Sequence, residues 1–144
     1  MLPDNIVLYA DDDIDDLQFI KESFAHYSDN IELVTAFDGL EAITYLKNIP
    51  PDQPIPCLII LDINMPKMDG KEALKTIREM EGFEKVPVIL FTTSSQMKDK
   101  EFSKKYNAGF LTKPIDYSEL NQIAGRFIEQ CTEETKNKLT RQLT

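Results

Sequence analysis

The feature that most restricts the fold is a series of short apolar runs, each stopped by polar residues and separated from the next by a stretch with helical spacing. Ile6-Val7-Leu8-Tyr9-Ala10 ends in Asp11-Asp12-Asp13, and Cys57-Leu58-Ile59-Ile60-Leu61 ends in Asp62. Runs without polar alternation read as strands buried on both faces, the habit of a parallel sheet. Ile31 to Ala36 is a weaker second run, Val86 to Phe91 a fourth, and Gly109-Phe110-Leu111-Thr112 a short fifth. Between them, Leu17, Ile20, Phe24 and Tyr27 recur at helical spacing, as do Ala42, Ile43 and Leu46, then Ala73, Leu74 and Ile77. Leu120, Ile123, Ala124, Phe127 and Cys131 continue the series, and a poorly patterned helix is expected around Met97 to Tyr106.

Strands alternating with helices predict an α/β protein, a doubly wound five-stranded parallel sheet with five helices, because right-handed crossovers put helices on both faces. Such sheets bind ligands at the carboxyl ends of their strands. The polar residues gather there: Asp11-Asp12-Asp13 after the first strand, Asp62 after the third, Thr92-Thr93 after the fourth and Lys113 after the fifth. At 144 residues and 42% hydrophobic composition, one core and one domain are expected, over residues 1–131. Asn48 to Pro56 holds Pro50, Pro51, Pro54 and Pro56, which forbid helix and regular strand pairing, so it reads as a surface loop. The polar stretch 132–144, with Leu139 and Leu143 four apart, either extends the last helix or frays, and no output domain is expected.

A formal net charge of −9 repels nucleic acid and anionic membrane surfaces. Cys57 and Cys131 belong to no close ligand pair and read as reduced, packed cysteines. The N-terminus lacks a basic start and a long apolar core, and nothing approaches the roughly 18 apolar residues of a membrane span, so a cytoplasmic protein is expected.

Three carboxylates meeting at one sheet edge repel unless a cation sits among them. Oxygen-only donors favour magnesium, which keeps several waters; Asp11, Asp12 or Asp62 and a backbone carbonyl near Asn64 suit it, whereas zinc lacks His or Cys ligands. A carboxylate is also a nucleophile toward phosphorus if metal and fixed cations neutralise the phosphoryl oxygens. Lys113 supplies a fixed cation and Thr92 a hydroxyl able to donate to a phosphoryl oxygen.

Through Tyr9-Ala10-Asp11-Asp12, Leu61-Asp62-Ile63-Asn64-Met65-Pro66, Asp69-Gly70, Phe91-Thr92-Thr93-Ser94 and Lys113-Pro114, the sequence closely resembles the receiver domain of two-component response regulators over about residues 5 to 131. The resemblance implies a flavodoxin-like sheet of order 2-1-3-4-5 and a phosphorelay role, with Asp62 as acceptor of a phosphoryl group from a kinase histidine. It makes Asp11 and Asp12 magnesium ligands, one of them through water, with Asp62 beside them and the Asn64 backbone carbonyl completing the protein's share. Lys113 becomes the phosphoryl ligand, Thr92 the switch residue, and Phe110 stands where the family usually has a rotating aromatic, more often tyrosine. Lacking a hydroxyl, Phe110 can switch through packing alone. The family's Lys-Pro bond is typically cis, which here falls on Lys113-Pro114. A sensor histidine kinase, including the phytochrome type by analogy, is the implied donor. The output is a downstream protein or a phosphotransfer histidine, and a homodimer is compatible with it; apart from its own phosphorylation and slow dephosphorylation, the chain is not expected to be an enzyme.

Other readings compete for the same residues. Asp13, Asp15 and Asp16 are assigned the structural task of complementing a helix dipole, and Asp69 that of a helix N-cap. His26 reads as an exposed helix residue. Asp11, Asp13, Asp15 and Glu22 match calcium-loop positions 1, 3, 5 and 12, but Asp16 stands where such a loop needs glycine. The enzymatic alternative is a haloacid-dehalogenase-like phosphatase, suggested by Asp11 and Asp13 after the first strand; that family places its nucleophile on the first strand and usually carries a cap domain.

Overall fold

The computed structural model describes residues 5–27, 30–94, 96–114 and 122–130. A parallel sheet of order β2-β1-β3-β4-β5 is built from β1 (Asn5–Ala10), β2 (Ile31–Ala36), β3 (Leu58–Leu61), β4 (Val88–Thr92) and β5 (Gly109–Thr112). The connecting helices are α1 (Ile14–Tyr27), α2 (Gly39–Lys47), α3 (Gly70–Glu79), α4 (Met97–Lys105) and α5 (Ile123–Glu129). The expected fold class and strand order are both present.

Successive strand residues point to opposite faces, so β1 feeds two cores. Val7 and Tyr9 join Leu17, Ile20, Phe24 and Phe127 of α1 and α5. Leu8 and Ala10 join Ala42, Leu46, Leu74 and Ile77 of α2 and α3. These side chains are fully or almost fully buried, and each large one contributes about 1.5–3 kcal/mol by leaving water. His26 is exposed on α1, as expected.

Boundaries differ from expectation where proline intervenes. β4 begins at Val88 rather than Val86, because Pro87 has no amide to give the ladder and contributes only its carbonyl, to the Ile59 amide. Two aspartates start helices as N-caps: Asp38 accepts from the Glu41 amide at 2.7 Å, and Asp69 from the Glu72 amide at 2.8 Å. The poor pattern of α4 also has a physical cause, since its buried positions include Asp99 and Ser103, polar groups with polar partners. The proline-rich loop follows the C-cap Asn48 and is mostly exposed. The assignments made for Leu120, Cys131 and the stretch 132–144 lie outside the described residues. Among the described residues, no helix is long and apolar enough to cross a membrane.

Candidate functional site

Parallel register sets the site. Ala10 pairs with Leu61, so the next residues, Asp11 and Asp62, emerge side by side, with the Asp62 amide donating to the Ala10 carbonyl at 3.0 Å. Asp11 is completely buried, Asp62 nearly so, and Asp12 exposed. One carboxylate oxygen from each of Asp11, Asp12 and Asp62 lies within 4.8 Å of the others. Gly70 lets the α3 terminus close on this edge: a β-carbon there would stand 2.1 Å from the Asp62 carbonyl oxygen.

The end of β5 brings in the counter-charge. The Lys113 amide donates to the Thr92 carbonyl at 2.7 Å, fixing the lysine beside β4. Its Nζ reaches Asp11 Oδ2 at 2.8 Å, Asp16 Oδ2 at 2.8 Å and Asp62 Oδ2 at 3.4 Å, and lies 5.6 Å above the Phe91 ring. Burial works against the ammonium, but the hydrogen bonds to Asp11 and Asp16 and the charges of Asp11 and Asp62 outweigh it and hold the group above its ordinary range. The Lys113–Pro114 bond, cis by resemblance, is trans, because no described peptide bond is cis. The lysine enters the pocket without that isomer.

Thr92 is buried at the end of β4, with Oγ1 accepting from the Ser94 amide at 3.2 Å. Phe110 is half-buried against the core formed by α2 and α3, with the Lys100 ammonium 6.0 Å from its ring centroid. Asn64 is exposed on the loop between β3 and α3.

Two further residues belong to the pocket and were not expected there. Tyr9, fully buried in β1, donates its hydroxyl to Asp11 Oδ2. Burial, then the neighbouring Asp11, pushes its phenol far above the ordinary range, so it stays a donor. Asp16 lies in the first turn of α1, as its helix-dipole reading expects, and in addition binds Lys113; burial raises its carboxyl and Lys113 opposes that rise. The sequence held a signal for each. Tyr9 lies two residues before Asp11 on the same strand, and Asp16 heads the buried face that continues through Ile20 and Ser23. Asp13 does cap α1, accepting from the Asp15 and Asp16 amides at 2.9 and 3.2 Å. The calcium-loop match fails, since α1 starts at Ile14 and places Asp15 and Glu22 on a helix.

The donor set fits a hard cation. Lys113 pairs with Asp11, Asp16 and Asp62, Asp12 adds a further carboxylate, and among the described residues neither His nor Cys joins the cluster. Asp62 shows the uncompensated charge: burial first, then Asp11, push its carboxyl up to about 7 against the pull of Lys113. A divalent ion with oxygen preference relieves that repulsion.

Sequence and fold are similar to those of known proteins. The family model described as the response regulator receiver domain matches residues 7–124. Response regulator Rcp1 of Synechocystis sp. is 31% identical over 121 residues, spanning 82% of this chain and 82% of that protein. The crystal structure of the phosphorylated cyanobacterial phytochrome response regulator RcpA superposes with a TM-score of 0.78 at 28% identity, covering 89% of this chain and 96% of that one. The Mn(2+)-bound form of Rcp1 gives 0.77 at 28% identity, covering 89% and 97%. The haloacid-dehalogenase-like alternative is not supported, for Asp13 is spent on the helix cap and both oxygens of Asp11 are already hydrogen-bonded. With the receiver model running from β1 into α5 over a sheet of order 2-1-3-4-5, the chain belongs to the response regulator receiver domain family.

Proposed function

We propose that Asp62 accepts a phosphoryl group from a phosphohistidine of a sensor histidine kinase, with Mg2+ held by Asp11, Asp12, Asp62 and the backbone carbonyl of Asn64. In the transfer, the histidine nitrogen–phosphorus bond breaks and an Asp62 oxygen–phosphorus bond forms, the bonding pair returning to the imidazole. When bound, the cation supplies charge neutralisation at the phosphoryl oxygens. Lys113 offers a second positive charge from the β5 side, and Thr92, buried beside it, has a hydroxyl to donate to a phosphoryl oxygen.

One observation carries the choice of acceptor. Asp11 has both oxygens committed, to the Asp13 amide at 3.0 Å and to Tyr9 and Lys113, whereas Asp62 meets Lys113 only at 3.4 Å. The looser carboxylate is the one free to attack. The signal then passes through Thr92 and Phe110 to the face formed by α4 and β5, altering its affinity for a downstream protein or a phosphotransfer histidine. RcpA is a phytochrome response regulator, and a phytochrome-type kinase is the proposed donor class here.

Incubation with acetyl phosphate and Mg2+, chemical trapping of the acyl phosphate and mass-spectrometric mapping test this reading. Label at Asp62 is expected. Label at Asp11, or turnover of a range of phosphate esters, overturns it.

A further inference from the structure

A tyrosine near the end of a strand buried on both faces is a costly choice, because its hydroxyl must find a partner there. Phenylalanine would fill the same space. The Tyr9 ring sits among Phe91, at a centroid distance of 6.3 Å, and Phe127, which meets Phe91 edge-on at 5.0 Å. Its hydroxyl leaves this apolar cluster from beneath the acidic pocket and ends on Asp11 Oδ2, the oxygen that Lys113 also binds. The other oxygen, Oδ1, accepts from the Asp13 amide at 3.0 Å. Asp11 is therefore held at both carboxylate oxygens, at Oδ2 by a phenol and an ammonium and at Oδ1 by the backbone.

The arrangement also bears on Lys113, whose single ammonium is divided among Asp11, Asp16 and Asp62. Without the phenol, Asp11 Oδ2 would depend on the lysine alone and draw it from Asp62.

We propose that Tyr9 is a positioning residue of the phosphorylation site: its hydroxyl holds the Asp11 carboxylate in the orientation that binds the cation and leaves Lys113 shared with Asp62. This rests on the acceptor and metal assignments above. Groups that orient a metal-binding carboxylate from behind typically matter about 10–100-fold in metal affinity.

The test is Tyr9→Phe in the full chain. Mg2+ affinity is measured calorimetrically without phosphodonor, and acetyl phosphate labelling of Asp62 is followed across Mg2+ concentrations. Affinity should fall about tenfold, and the half-saturating Mg2+ for labelling should rise by the same factor. Added to Asp11→Asn, Tyr9→Phe should cause no further loss. Mg2+ affinity within about twofold of native, with or without a change in melting temperature, overturns the proposal, as does an independent loss in the double variant. If Tyr9→Phe does not fold, the native protein answers instead: the buried Tyr9 hydroxyl proton should shift in the NMR spectrum on adding Mg2+, and an unmoved signal overturns the proposal. Absence of label at Asp62 in native protein sinks the acceptor assignment alone, because the metal titration does not use the phosphodonor.

Discussion

Ser94 donates its hydroxyl to Asp99 Oδ2 at 2.7 Å, fastening the loop after Thr92 to a buried carboxylate of α4. The other oxygen of Asp99 pairs with Lys71, in the first turn of α3 and next to the glycine that closes on Asp62. Since the Ser94 amide also donates to Thr92 Oγ1, polar contacts link Thr92 to α4 and, through Lys71, to α3.

Lys71→Met should therefore destabilise the protein by about 1–3 kcal/mol at pH 7, the cost of removing a charged partner from a buried group. The Lys71 hydrogen bond is the main cause holding the Asp99 carboxyl below its ordinary value. A depressed folded value gives stability that is present above the unfolded value, near 4, and lost as pH falls through the folded one. The gap between native and variant in urea unfolding should be full at pH 7 and shrink toward pH 3. A gap that persists unchanged at pH 3 would exclude this electrostatic origin.

Asp62 has the opposite sign. Its folded carboxyl is raised to about 7, so the metal-free folded state holds a proton there that the unfolded chain has released. Stability from this source is complete below about 4 and lost as pH rises through about 7. Asp62→Asn should flatten that slope, gaining stability over native protein at pH 8 and little at pH 4. Saturating Mg2+ should remove most of the difference. Chemical unfolding of both proteins across this range, with and without Mg2+, is the measurement; parallel curves would contradict the assignment.

The strands were legible because burial on both faces of a parallel sheet demands uninterrupted apolar runs, and the polar residues ending them had to share one rim. Asp11, Asp12, Asp62, Thr92 and Lys113 were found by that argument. Tyr9 and Asp16 were not, because each satisfies a generic pattern, an apolar strand and an acidic first turn, that conceals where its polar tip goes. The same holds for α4, where Asp99 and Ser103 occupy buried positions and erase the apolar stripe. Arg78 is a further case: a half-buried guanidinium on α3 that donates to the Tyr106, Phe83, Val86 and Asn107 carbonyls looks in sequence like any helix-end arginine.

Gly70→Ala tests whether the backbone of Asp62, the proposed acceptor, is placed by the α3 terminus. The added methyl would meet the Asp62 carbonyl oxygen at 2.1 Å, and that neighbour is main chain. Either α3 or the end of β3 must move, at a cost of about 1–3 kcal/mol. Phosphate labelling by acetyl phosphate should fall with stability, since the clash falls on the backbone of Asp62 itself. Gly82→Ala provides the contrast: its β-carbon meets nothing within 4 Å, although its φ of +91° brings backbone strain of its own. It should lose stability and keep its labelling rate. Equal labelling losses in the two variants would remove the positional argument.

Lys113→Ala separates the proposed metal and phosphoryl roles of the pocket. Removing the ammonium leaves Asp11, Asp16 and Asp62 without their shared cation, so the metal-free protein should lose stability and gain more from added Mg2+ than native protein does. Mg2+ binding should be retained, because the oxygen ligands remain and a competing positive charge has gone. Labelling of Asp62 by acetyl phosphate should nevertheless drop at least tenfold, because the β5 side no longer offers a charge to the phosphoryl oxygens. Thermal unfolding with and without Mg2+ reads the first effect, and trapped acyl phosphate reads the second. Native labelling would take Lys113 out of the mechanism and leave it an ion-pair partner of Asp11 and Asp16.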